Sequence, residues 1–144
     1  MGNFGLKVNR FYEIFVEQNG YVMVLEGLKN TLLIAVIGLI IGIVIGTLIA
    51  AIRTIPQYKV LPRVLNGICS VYVGIFRGTP MVVQLLVFYY VMLPLMGVKM
   101  TGVQVSMIVF GLNSAAYISE IMRSGIMSVD SGQMEAGRAV GLSY

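Results

Sequence analysis

From Thr31 to Ile52 the chain runs twenty-two residues without a charged side chain, between Lys29 and Arg53. A helix over this stretch is about 33 Å long, enough for a hydrocarbon core of about 30 Å. Gly38, Gly42 and Gly46 recur every four residues and so share one helical face. Such a groove lets another helix approach closely, which fits packing within a bundle more simply than a dedicated dimer interface. A second apolar run, Pro80 to Met96, has seventeen residues, the lower limit for crossing, and includes Gln84 and Pro94. The third, Val103 to Met122, is followed at once by Arg123.

Between the first two runs lies a basic connector, 53–79, with Arg53, Lys59, Arg63 and Arg77 and no acidic residue. Pro56 and Pro62 are expected to break the helix on either side of Lys59. Val64 to Phe76 is apolar for only thirteen residues, which predicts an interfacial or buried helix rather than a span. Pro80 suits the first turn of the next helix. Residues 1–26 lack the early apolar core and cleavage site of a signal peptide. Phe11, Ile14, Phe15 and Gln18 there have helical spacing, which fits an interfacial or a solvated helix.

The tail, 124–144, is different in character. Gly125, Ser128, Asp130, Ser131 and Gly132 break the apolar pattern and predict a turn. Asp130 and Ser131 suit an N-cap, Gln133 to Ala139 are good helix formers, and Gly141 suits a stop. Small residues at 136, 137 and 139 give a thin helix. It fits either a solvated surface helix or one lying in a partner's groove.

Composition supports lipid as the solvent. The chain is 58% hydrophobic and 11% charged, against about 25% charged in an average soluble domain. Its net charge of +4 is scattered rather than striped, which argues against nucleic acid. With no histidine, the usual general base, the serine triad and most zinc sites are excluded, so no catalytic residue, metal or cofactor is assigned. Cys69 reads as a small buried hydrophobe. No phosphate-binding G-x-x-x-x-G-K-[S/T] loop occurs. The connector carries four basic residues and the 97–102 loop one, Lys99, so the positive-inside rule makes the connector cytoplasmic. The N-terminus is then outside and the C-terminus cytoplasmic.

Ser106, Asn113, Tyr117 and Glu120 fall on one face of the third run. Polar groups in a bilayer face a bundle interior or water. Asn113 and Tyr117 fit a stripe along a translocation path or hydrogen bonds between helices. Glu120 fits an i,i+3 ion pair with Arg123. Gln84 and Tyr89 sit within the second run, where Tyr89 can stack on a substrate or pack.

Taken together, the motifs resemble a known family. Gly27-Leu28-Lys29-Asn30-Thr31-Leu32 opens the first run, and Phe76-Arg77-Gly78-Thr79-Pro80 with Gln84 leads into the second. Ala115 to Ile126 leaves the third, and Gly132-Gln133-Met134-Glu135-Ala136-Gly137 with Gly141 follows. In this order they look like the permease subunits of polar amino acid ABC importers, the histidine, glutamine, glutamate and arginine group, over about residues 27–144. The resemblance implies an all-α membrane protein: three transmembrane helices plus interfacial and cytoplasmic coupling helices, part of the type I importer core. Residues 1–26 would form an extracytoplasmic or interfacial segment, and 27–144 a partial transmembrane domain.

It further implies that Glu135, Ala136 and Gly141 match the glutamate, first alanine and glycine of the ATPase-coupling loop. Gly137 stands where the family has a second alanine. The implied partners are a separate ABC ATPase, a second permease subunit (identical or paralogous), an extracytoplasmic amino acid-binding protein and membrane lipid. The implied location is the bacterial inner membrane. Family members continue with two more membrane helices, so a C-terminally truncated product unable to transport alone is expected. The alternative from the residues alone is a small membrane scaffold without transport activity.

Overall fold

A computed structural model describes residues 3–17, 19–56 and 58–142. Among them every regular element is helical. Helix α1, Asn3–Tyr12, continues into a wider π turn at Glu13–Glu17. Asn19, in the left-handed region at φ 56°, turns the chain into α2, Gly20–Thr54. Then come α3, Val60–Gly78; α4, Met81–Met96; α5, Gly102–Met127; and α6, Ser131–Ala139. Gln18, one of the four residues at helical spacing near the N-terminus, lies outside the described residues.

Several boundaries differ from expectation. The helix of the first span begins at Gly20 rather than at 31, and passes unbroken through the 26/27 division implied by the family resemblance. Glu26, Lys29 and Asn30 interrupt the apolar pattern there, but a charge on one turn does not break a helix. Pro62 does not break one either: it is the third residue of α3, where a missing N–H costs nothing. The break comes earlier, at Ile55, held extended by Pro56. α3 therefore has 19 residues instead of thirteen and is long and apolar enough to cross a membrane. By length and composition, three helices among the described residues qualify: α2, α3 and α5. Met81–Met96, expected as the second span, is a shorter apolar helix. Within α4, Phe88–Met92 widens to a π turn in which the Leu93 amide reaches the Phe88 carbonyl. That widening lets the Pro94 ring clear the preceding turn. At the far end α5 continues through Gly125 to Met127, beyond the turn expected from 124 onward.

The core is the seam between α2 and α5, which run parallel. Gly38 meets Phe110 and Gly111, Gly42 meets Ser114, and Gly46 meets Ala115 and Ile118. A Cβ on Gly42 would stand 2.7 Å from Ser114 Cβ, and one on Gly46 2.9 Å from the Ala115 carbonyl oxygen. Gly111 returns the contact, since its missing Cβ would lie 2.7 Å from Ile41 Cγ2. The glycine groove thus serves packing within the chain. α3 meets this pair through its C-terminal half, where Val73 joins Ile49 and Ala116, with Cys69, Tyr72 and Phe76 beside them. α4 runs back along α5, bringing Gln84 to Asn113 and Tyr89 to Ser106. The outer surface carries large exposed apolar side chains along α2 (Leu32, Val36, Leu39, Ile40, Ile43), as a lipid-facing helix does.

Adding a side chain to the seam is expected to destabilise the bundle. Gly46→Val should cost about 1–3 kcal/mol, because a backbone oxygen and the branched Cβ of Ile118 stand in its way. Gly67→Ala, where nothing lies within 4 Å of the new Cβ, should be neutral or stabilising. Thermal unfolding of the two variants in detergent measures the contrast.

Candidate functional site

Asn113 and Tyr117 of α5 turn toward the junction of α3 and α4, whereas Ser114 faces Gly42 of α2. At that junction α3 ends in Arg77-Gly78, and Thr79 and Pro80 are extended. The Thr79 hydroxyl donates to the Ile75 carbonyl at 2.8 Å. Gln84, one turn into α4, folds back over the corner. Its amide nitrogen donates to the Phe76 carbonyl at 2.9 Å, the Thr79 carbonyl at 3.1 Å and the Thr79 hydroxyl at 2.8 Å. Asn113 closes the knot from α5, donating to the Phe76 carbonyl and to Gln84 Oε1, each at 3.2 Å. Both amides are 8% exposed. Tyr72 adds a third tie, its hydroxyl donating to the Leu112 carbonyl at 2.6 Å. Carbonyls freed where α3 ends are thus satisfied by side chains from two other helices.

Two turns further along α5 the polar face becomes charged. Glu120 accepts from Arg53 of α2 at 2.6 Å, and lies 3.5 Å from Arg123 and 3.8 Å from Arg77. The i,i+3 pair with Arg123 was expected, but the shorter bond to Arg53 was not. Sixty-seven residues separate Arg53 from Glu120, so no local spacing could reveal it. The Arg77 guanidinium also lies over the Tyr117 ring, 5.3 Å from its centroid.

The four residues considered for a translocation path do not share one cavity. Gln84 and Asn113 are hydrogen-bonded to each other, and Tyr117 sits under Arg77. Tyr89 stacks edge-on with Tyr90 and lines a separate hollow of about 210 Å³ with Ser106. Cys69 is free and half-buried.

α6 is set apart from this knot. The Asp130 carboxylate accepts from the Gly132 amide at 2.8 Å and caps its start. Its end closes with the Leu142 amide on the Gly137 carbonyl and the Gly141 amide on the Arg138 carbonyl, both at 3.0 Å. This pair of hydrogen bonds needs a left-handed residue, and Gly141 has φ 84°. Leu142 folds back onto Gly137, the only half-buried residue of α6, while Glu135 and Ala136 are exposed.

An all-helical membrane protein with a braced corner, a clustered charge and a capped, outward-facing tail helix is the class this geometry defines. A family model described as "binding-protein-dependent transport system inner membrane component" matches residues 42–144, and the chain belongs to that family. It is 39% identical over 121 residues to the arginine transport system permease protein ArtQ of Bacillus subtilis (strain 168), covering 84% of this chain and 53% of ArtQ. It is 40% identical over 119 residues to the putative glutamine transport system permease protein GlnP of Rickettsia bellii (strain RML369-C), covering 83% and 52%. A crystal structure of an amino acid ABC transporter with histidines superposes with a TM-score of 0.75 at 31% identity, covering 90% of this chain and 58% of that one. The chain spans about half the length of the curated relatives it matches.

Two substitutions in α6 are expected to have opposite signs. A methyl group on Gly137 would meet Leu142 Cδ1 at 3.7 Å, an ordinary contact, so Gly137→Ala should firm the helix by about 1 kcal/mol. Gly141→Ala should loosen it by about 1–2 kcal/mol, because its φ disfavours a Cβ. Amide hydrogen exchange across 131–142 reads both. In the knot, Gln84→Leu removes the donor to the Thr79 carbonyl, one of two to the Phe76 carbonyl and the acceptor of Asn113, and should lower stability by about 1–3 kcal/mol.

Proposed function

We propose that this chain contributes to the membrane-spanning permease of an ATP-driven amino acid importer, with α6 as the helix that couples it to a separate ATPase. The observation that carries the proposal is α6 itself: capped at both ends, exposed around its surface and joined to α5 by the three residues 128–130. Glu135 and Ala136 face outward, where a partner's cleft would receive them. Gly141 closes the helix, and Gly137 gives Leu142 a seat. The names of ArtQ and GlnP support an amino acid as cargo. A second permease subunit and an extracytoplasmic binding protein complete the machine. The scaffold alternative has no specific observation in its favour.

Gln84, Asn113, Thr79 and Arg77 act in this proposal as braces of the α3–α4 corner rather than as substrate ligands. The hydrogen-bonding capacity of Gln84, Asn113 and Thr79 is spent inside the chain, and Arg77 lies over Tyr117 and beside Glu120. Tyr89 and Tyr117, both partly exposed, are the better candidates for a path. The basic end of the bundle, where Arg53, Arg77 and Arg123 gather, faces the cytoplasm under the positive-inside rule.

The direct test is co-purification of the chain with a candidate ATPase. Glu135→Ala and Gly141→Pro should each lower recovery of the ATPase by about tenfold, whereas Gly137→Ala should not. Unchanged recovery with both would remove the coupling assignment. Orientation is read by labelling single cysteines in a Cys69→Ser background. Lys99→Cys should react with an impermeant reagent from outside and Tyr58→Cys should not; the reverse pattern overturns the topology.

A further inference from the structure

The charge cluster at Glu120 is not balanced within the chain. Three guanidiniums face one carboxylate, leaving an excess of positive charge between α2, α3 and α5. Each guanidinium brings five N–H donors, and Glu120 offers two oxygens. Arg53 Nε and Arg123 Nε are buried without a hydrogen-bond partner. The cluster is also accessible on one side: Arg53 is 11% exposed, but Arg123 is 35% and Arg77 42% exposed. Glu120 therefore holds the inner arginine, and the two outer ones present free donors at the surface.

Its depth fits a particular anion. The uncharged stretch of α2 ends at Arg53 and that of α5 ends at Glu120–Arg123, so the cluster marks the level where hydrocarbon gives way to headgroups. On the same three helices, a few residues away, Leu48, Ile75 and Ile121 are exposed apolar side chains. Exposed apolar side chains on the three helices that carry the cluster suit a ligand with an acyl chain as well as an anionic head. Guanidiniums bind phosphate oxygens in paired hydrogen bonds, and basic pockets between membrane helices hold lipid headgroups. We infer that Arg77 and Arg123, their charge only partly offset by Glu120, form a binding site for the phosphate of an anionic phospholipid. It does not depend on the transport proposal, only on the bundle standing in a membrane.

Native mass spectrometry of the detergent-purified full chain tests it, with phosphatidylglycerol, phosphatidylcholine and inorganic phosphate as probes. Phosphatidylglycerol should be retained in preference to phosphatidylcholine, and millimolar phosphate should not displace it. Arg77→Gln and Arg123→Gln should each lower its retention about fivefold, while Lys99→Gln, which removes a charge in another loop, should not. Glu120→Gln should raise retention by removing the competing carboxylate, a gain that misfolding cannot imitate. Equal retention of the two lipids, no effect of the arginine changes, or a loss with Glu120→Gln would each overturn the site. Displacement by phosphate would show a free-anion site instead. Loss of a co-purified ATPase in the arginine variants, with no lipid effect, would assign the cluster to an acidic protein surface.

Discussion

The distance between α2 and α5 sets the rest of the structure. Four glycines remove the side chains that would hold the two helices apart, and the gap is filled by backbone, Ile41 and Ile118. In a bilayer there is no water-driven force to press helices together, so close van der Waals contact carries the association. The parallel alignment has a second consequence. It brings the end of α2 level with the last turns of α5, where Thr47 meets Met122 and Arg53 meets Glu120. The seam therefore fixes which charges can find each other, and the ion pair follows from the packing rather than creating it.

With Arg53 in place, Glu120 becomes a shared counter-ion for three helices. A lone carboxylate at this depth would be costly, and so would three unpaired arginines. Shared between them, the cost falls, although the site stays net positive. Arg77 lies two residues before Thr79, so the same residue ties the α3–α4 corner to the charged level of α5. The corner is thus held at two heights, by the amides of Gln84 and Asn113 and by the guanidinium of Arg77.

How much of this was legible in the sequence depends on how far apart the interacting residues lie. The glycine spacing announced a close approach, and the uncharged run announced a long helix. The cap at Asp130 and the stop at Gly141 are local chemistry and were readable. What escaped was non-local. Asn113 and Glu120 showed as polar residues on one face, but nothing in the chain said that Phe76, Gln84 and Arg53 would meet them. Charged residues misled at α2, whose helix runs on past Lys29 and Glu26. Pro62 misled at α3, because proline in a first turn is compatible with the helix it was expected to end.

The position of α6 beyond a short turn from α5 has a mechanical meaning on the coupling proposal. A partner can bias the membrane segment only if its contact differs between two arrangements of the chain. A helix fused to the bundle by its own packing would have little freedom to differ. α6 keeps its shape through its own caps, while its surface is left exposed. Displacement of such a unit would be delivered to α5 through residues 128–130. α5 is held to α2 along the glycine seam, and its polar face carries the braced corner. A pull on α6 would then move α5 with α2, and the α3–α4 corner would follow through Arg77, Gln84 and Asn113. On that proposal the seam would transmit the motion, and α6, held in shape by its own caps, would let a partner impose it.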